Sequence, residues 1–182
     1  GEPDRFGVSV DEFHQQCLAR REKWPVGLSA TSTHDTKRSE DVRARIHVLS
    51  EIPRAWRDAV ARWRRWNRRH LSDVEGRPAP DRSDEYLLYQ TLVGAWPLLP
   101  PEPDEAAAFV SRIQQYMLKA TREAKLHTSW VNPNDAYDEA LQRFVAKILA
   151  AEPGNRFLAD FAAFHPPIAR LGMVNSLAQT LL

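Results

Sequence analysis

The sequence is poor in glycine, with 7 in 182 residues, and carries a single cysteine, Cys17. Few glycines argue against a β sandwich, which needs many tight turns. One cysteine excludes an internal disulfide and a cysteine-rich zinc site, and it suits a reducing compartment, so a cytoplasmic location is expected. Neither sign of charge is in excess, since 25 Lys and Arg stand against 24 Asp and Glu. A net charge of +1 gives no overall pull towards nucleic acid or an anionic membrane, and neither is expected as a partner. No apolar run reaches the length of a membrane span, and Gly1 to Val10 lacks the basic start and apolar stretch of a secretion signal. The six histidines show no metalloprotease spacing, and no glycine-rich phosphate loop occurs, so no metal and no cofactor is expected. An initiator Met is also missing, which favours a piece of a longer protein.

What is present is helical periodicity. Ser9 or Asp11 can cap a helix running through Phe13, Cys17 and Leu18 to about Lys23, where Trp24-Pro25 stops it. From Ser39 a helix turns Val42, Ile46 and Leu49 inward, and Pro53 opens another with the stripe Trp56, Val60, Trp63 and Asn67. Asp81 to Trp96 is expected to bury Tyr86, Leu87, Gln90 and Val93, and the longest helix, capped by Asp104, to bury Phe109, Ile113, Met117, Ala120 and Ala124. Asn134 or Asp135 caps a helix with Tyr137, Leu141, Phe144 and Ile148 inward, and two further helices follow, separated at Pro166-Pro167.

One strand is expected, from Val26 to Thr33, short and ending in a polar cluster. A strand by itself leaves its backbone groups unpaired, so its partners should lie outside this chain. The expected fold class is therefore all-α, a helical bundle-like body with one short β-strand near the N-terminus. Residues 1–38 form a helix, strand and active-site loop, and residues 39–182 a helical domain. A strand followed by a long helical excursion is the order of an insertion between two strands of an α/β barrel.

Chemistry concentrates where that strand ends, in Thr31-Ser32-Thr33-His34-Asp35-Thr36-Lys37-Arg38-Ser39-Glu40-Asp41. In a barrel, side chains at the C-terminal ends of strands converge on the active site, which would set His34 and Asp35 there. By pattern alone the same residues also fit a capped turn, with Thr36 or Ser39 starting the next helix and Asp35 hydrogen-bonding the turn. Lys37 and Arg38 stand just beyond Asp35 and offer donors to a bound ligand, although solvated cations at a helix start are the plain alternative. Trp130, beside Asn132, Pro133 and Asn134, has the surroundings of a stacking platform for a ligand or of a loop-covered core aromatic.

The run from Thr33 to Arg45, preceded by Arg5-Phe6-Gly7 and Trp24-Pro25, resembles the maltooligosyltrehalose synthases of the α-amylase superfamily. The run His127-Thr128-Ser129-Trp130-Val131-Asn132-Pro133-Asn134 is similar to the same family's helical region. The resemblance implies a (β/α)8 barrel enzyme, with this chain running from the seventh strand through the helical excursion towards the eighth. The implied reaction is an intramolecular transglucosylation that turns the reducing-end α-1,4 linkage of a maltooligosaccharide into an α,α-1,1 linkage. Asp35 then matches the third carboxylate of the superfamily, which grips the sugar in the cleavage subsite and stabilises the oxocarbenium-like transition state. His34 matches the imidazole beside it, and Lys37, Arg38 and Trp130 become candidate substrate contacts. The family's nucleophile and general acid match no motif here, so this chain alone is expected to be inactive and to depend on the rest of the barrel.

Two rival readings come from other residues. The helix from Arg54 to Arg69 interleaves seven arginines with Trp56, Trp63 and Trp66, as a nucleic-acid-binding module would. Asp58, Asp73 and Glu75 dilute that charge, and arginine stems packed over Trp rings explain it as well. The other rival is a helical protein-interaction module in which Asp35 is an ordinary turn residue.

Overall fold

Each segment of backbone must find partners for its N–H and C=O groups, and here helices supply nearly all of them. The computed structural model describes Asp4 and residues 7–28, 30–99 and 102–181. The chain divides into two compact units, Gly1–Asp35 and Thr36–Leu182.

Among its described residues the first unit holds one helix, α1 (Val10–Lys23). Ser9 caps it by accepting from the Glu12 N–H at 3.1 Å, and Asp11 and Glu12 complement the dipole of its first turn. No residue of α1 is buried, and Phe13, Leu18, Val10 and Trp24 all expose apolar surface. The expected strand does not form: residues 26–28 and 30–33 carry no strand, and Ser29 lies outside the described residues. The reason is the one that makes a lone strand unfavourable, since no described segment of this unit offers an edge to pair with.

The second unit contains α2 (Glu40–Glu51), α3 (Pro53–Asn67), a 3-10 turn (Arg68–His70), β1 (Ser72–Val74), β2 (Arg77–Ala79), α4 (Arg82–Ala95), α5 (Pro103–Ala124), α6 (Asp135–Ile148) and α7 (Arg156–Leu181). Its centre is Trp63, fully buried. Its ring meets those of Trp56, Tyr89, Phe157, Phe161 and Phe164, with centroids 5.3 to 5.6 Å away. Its indole N–H donates to Asp160 Oδ2 at 2.7 Å, so the polar edge is satisfied as well. The stripes read for α3 and α6 are both inside. On α4 the register differs: Leu88, Tyr89, Leu92 and Val93 are fully buried while Tyr86 stays 38 % exposed, because α4 is wrapped on most sides rather than along one face.

Two close approaches set α2 against its neighbours. A Cβ on Gly94 of α4 would lie 2.4 Å from Val42 Cγ1, and one on Gly172 of α7 would lie 2.6 Å from Arg45 Cγ and 3.0 Å from Arg45 Cα. Arg45 then reaches back to the end of α4, donating to the carbonyls of Gly94 and Trp96 at 3.0 and 2.9 Å.

The break expected at Pro166-Pro167 does not occur, and α7 runs unbroken through both prolines. Phe157, Phe161, His165, Ile168, Ala169 and Gly172 form one buried face on either side of them. Packing of that face against α2, α3 and α4 outweighs the lost backbone bonds, and Ala162 and Ala163, four residues ahead of the prolines, are exposed to water. The hairpin β1–β2 was not expected. Val74 pairs with Arg77 across a two-residue turn in which Glu75 and Gly76 take φ of 55° and 77°, the left-handed pair that glycine makes accessible. Pro78 is tolerated because a two-stranded sheet has only edges.

Candidate functional site

His34 and Asp35 form a turn at the end of the first unit. Asp35 Oδ2 lies 3.5 Å from His34 Nε2, with the two side chains 87 % and 92 % exposed. A carboxylate so open to solvent is not consumed by internal packing, and it is available to a group brought from outside.

Lys37 and Arg38 belong to the second unit. They line a shallow groove of about 280 Å³ with His47 and Gln90. Lys37 Nζ also lies 3.5 Å from Glu123 Oε2 in the last turn of α5, an exposed pair that contributes little stability. Arg122, the neighbour of Glu123, sets its guanidinium over the Trp130 ring, 5.0 Å from the centroid. The end of α5 therefore touches two of the residues read as substrate contacts, Lys37 through Glu123 and Trp130 through Arg122.

Trp130 is held by a hydrogen-bonded loop. Ser129 N–H donates to the Asn132 carbonyl at 3.1 Å, Asn132 N–H to Ser129 Oγ at 2.9 Å, and Asn134 N–H to Thr128 Oγ1 at 3.0 Å. Asn134 then caps α6, accepting from Tyr137 N–H at 3.1 Å. The ring is 58 % exposed, so it does not close the core. With one side under Arg122, the remaining ring surface faces solvent.

Beneath this loop lies a polar cluster that sequence reasoning missed. Asp81 caps α4, its Oδ1 accepting from the N–H groups of Ser83 and Asp84, both at 2.8 Å. Its Oδ2 lies 2.8 Å from His127 Nε2, the first residue of the Trp130 run. Tyr137 stacks on the His127 ring at 4.6 Å, donates its hydroxyl to Asp84 Oδ2 at 2.5 Å and accepts from Asp81 N–H at 3.1 Å. Burial pushes both carboxyls up. At Asp81 the hydrogen bonds from Asp84 N–H and His127 win and bring it below the usual carboxylate value. At Asp84 burial and the nearby Asp81 charge outweigh the Tyr137 bond and hold it above that value. The ligand-type atoms of Asp81, Asp84 and His127 lie within 4.8 Å of one another. At 2.8 Å, Asp81 and His127 are at hydrogen-bond distance, and the network reads as a clamp joining the Trp130 loop to α4. Its visible signal was the Asp-x-x-Asp at a helix start, where Asp81 caps and Asp84 follows three residues on.

Comparison with known proteins then decides what this segment is related to. Proteins of Mycobacterium tuberculosis strains CDC 1551 and H37Rv, whose given name is maltooligosyl trehalose synthase, are 40 % identical to it over 149 residues, 82 % of this chain. Its relatives are the maltooligosyl trehalose synthases. The chain spans 18 % of the length of those curated relatives. A crystal structure of a maltooligosyl trehalose synthase matches 98 % of this chain and 22 % of its own, at 37 % identity and a TM-score of 0.79. The enzyme of that name from Arthrobacter ramosus matches 98 % of this chain and 20 % of its own, at 32 % identity and a TM-score of 0.70. No family model matches the chain. Among the described residues no helix is long and apolar enough to cross a membrane.

Proposed function

We propose that this chain acts as part of a maltooligosyltrehalose-forming enzyme of the α-amylase type, converting the reducing-end α-1,4 linkage of a maltooligosaccharide into an α,α-1,1 linkage. The observation that carries the reading is the 40 % identity to maltooligosyl trehalose synthases over 82 % of the chain. The open carboxylate of Asp35 and the stacking surface of Trp130 supply the chemistry such a role needs.

In a retaining mechanism one carboxylate attacks the anomeric carbon and a second serves as acid and then base, the two about 5 Å apart. Asp35 takes neither part. It accepts hydroxyl protons of the sugar in the cleavage subsite, and its negative charge favours the positive charge that develops on the ring in the transition state. His34 donates to the same sugar. Lys37 and Arg38 hold the glucose unit on the reducing side while it turns over, and Trp130 stacks on a neighbouring ring. The nucleophile and the general acid come from the rest of the barrel, the other partner of this chain. In this reading residues 1–38 are the barrel-derived helix and active-site loop, residues 39–182 the helical domain, and the enzyme works in the cytoplasm on a soluble glucan without a metal or other cofactor.

The test is an assay on maltopentaose with the full-length protein that contains this sequence and, separately, with the 182 residues alone. Loss of reducing ends with formation of a trehalose-terminated product is expected from the first and not from the second. Hydrolysis to maltose and glucose alone by the full-length protein, or rearrangement by the isolated chain, would contradict the reading.

A further inference from the structure

A cavity of the second unit, about 1090 Å³, contains none of the residues discussed as glucan contacts. It opens between α3, the hairpin and the start of α4, and five arginines line it: Arg57, Arg64, Arg65, Arg68 and Arg82. Two carboxylates, Asp73 and Glu85, share the lining, and both have other engagements. Glu85 Oε2 accepts from Arg64 Nε at 3.0 Å, and Asp73 Oδ1 accepts from the Gly76 N–H at 2.9 Å. Arg57 Nε lies 3.5 Å from Asp58 Oδ1. Among the described residues no carboxylate pairs with Arg65, Arg68 or Arg82, so three arginines line one concavity without an ion-pair partner.

The chemistry of that wall selects its ligand. Guanidinium groups only donate hydrogen bonds and each carries a positive charge, which a neutral glucan would leave uncompensated. A phosphate group offers acceptor oxygens in the geometry of the arginine fork and removes the like-charge repulsion between the three side chains. Leu71, Pro80 and Tyr86 add apolar surface to the same lining, with Tyr86 38 % exposed and fixed by the Trp56 indole N–H, which donates to its hydroxyl at 2.9 Å. A ligand that uses both kinds of surface has a charged group and a flat or apolar body. A concavity of this size suits a small molecule, and Asp58, Asp73 and Glu85 interrupt the basic surface that a polynucleotide would need.

We propose that this cavity binds a phosphorylated small molecule carrying at least two negative charges, its phosphates on Arg65, Arg68 and Arg82 and its body against Leu71, Pro80 and Tyr86. The site is independent of the glucan-rearranging reading and stands or falls separately from it.

Titrating inorganic pyrophosphate and, separately, ADP into the 182-residue chain, followed by calorimetry, tests it. Pyrophosphate is expected to bind with a Kd below about 1 mM at low salt, and ADP more tightly because its ring adds the apolar contact. Arg65→Gln with Arg68→Gln is expected to weaken both by at least about tenfold. Both side chains are exposed, so the fold is expected to persist, which circular dichroism of the double variant verifies. Failure of both probes to bind, or equal binding by the double variant, would overturn the proposal. So would an oligonucleotide or maltopentaose that binds the wild type more tightly than either probe and loses that binding in the double variant.

Discussion

The two units of this chain solve the burial problem in opposite ways. In Thr36–Leu182, Trp63 alone is enclosed by five aromatic rings, and every helix of that unit contributes buried side chains. In Gly1–Asp35 the single helix buries nothing, although it is well capped and carries Phe13 and Leu18. Local helix signals and a core are therefore separable. Capping and dipole charges shape α1, whereas most helix stability in a protein comes from packing an apolar face. The unit without a core is also the one that ends in Asp35, whose proposed role needs an open side chain.

This contrast can be broken by substitution. Trp63→Ala removes the centre of the core and the indole bond to Asp160, and is expected to cost about 3–5 kcal/mol in urea unfolding of the chain. Phe13→Ala in α1 should leave the unfolding midpoint unchanged within error. An equal effect from the two would show that α1 is not the uncovered helix described here. Gly172→Ala, which drives a Cβ against Arg45 Cγ and also close to the Arg45 backbone, is expected to cost about 1–3 kcal/mol. A neutral result would mean that α2 and α7 are free to move apart.

A smaller effect is expected from His165. Its Nε2–H donates to the Val93 carbonyl at 3.1 Å, and burial, with the nearby Arg45 charge second, pushes its pKa down to about 4 from 6.5. Folding holds this imidazole neutral, so between those two values the unfolded chain binds the extra proton. Stability therefore falls as pH drops from about 6.5 to about 4 and the contribution levels off below that. In His165→Gln the fall across this window is expected to be smaller by roughly 1–2 kcal/mol, read from urea midpoints at a series of pH values. Identical pH profiles would contradict the buried neutral ring.

Much of the second unit was legible in sequence because its signals are strong and local. The Trp56, Val60, Trp63, Asn67 stripe lies inside as its spacing requires, and Asn134 caps α6. What failed depended on neighbours. Pro166-Pro167 reads as a stop until the faces on both sides pack against α2 and α4. The hairpin was hidden by its short strands and by Pro78, and only Gly76 hinted at its turn. The segment after Trp24-Pro25 has strand-like composition, but a strand exists only where an edge is offered, and none is among the described residues of its own unit. For the site, Asp35 and Trp130 were named from their local runs, while the Asp81, Asp84, His127 and Tyr137 clamp joins three distant stretches that no local pattern could connect.

The most direct test of the central claim, that the open carboxylate ending the first unit grips the sugar being rearranged, is Asp35→Asn in the full-length protein containing this chain. Turnover of maltopentaose to the trehalose-terminated product is expected to drop by about 10²–10³-fold, with an unchanged circular dichroism spectrum and melting temperature. Turnover within twofold of the wild type would contradict it.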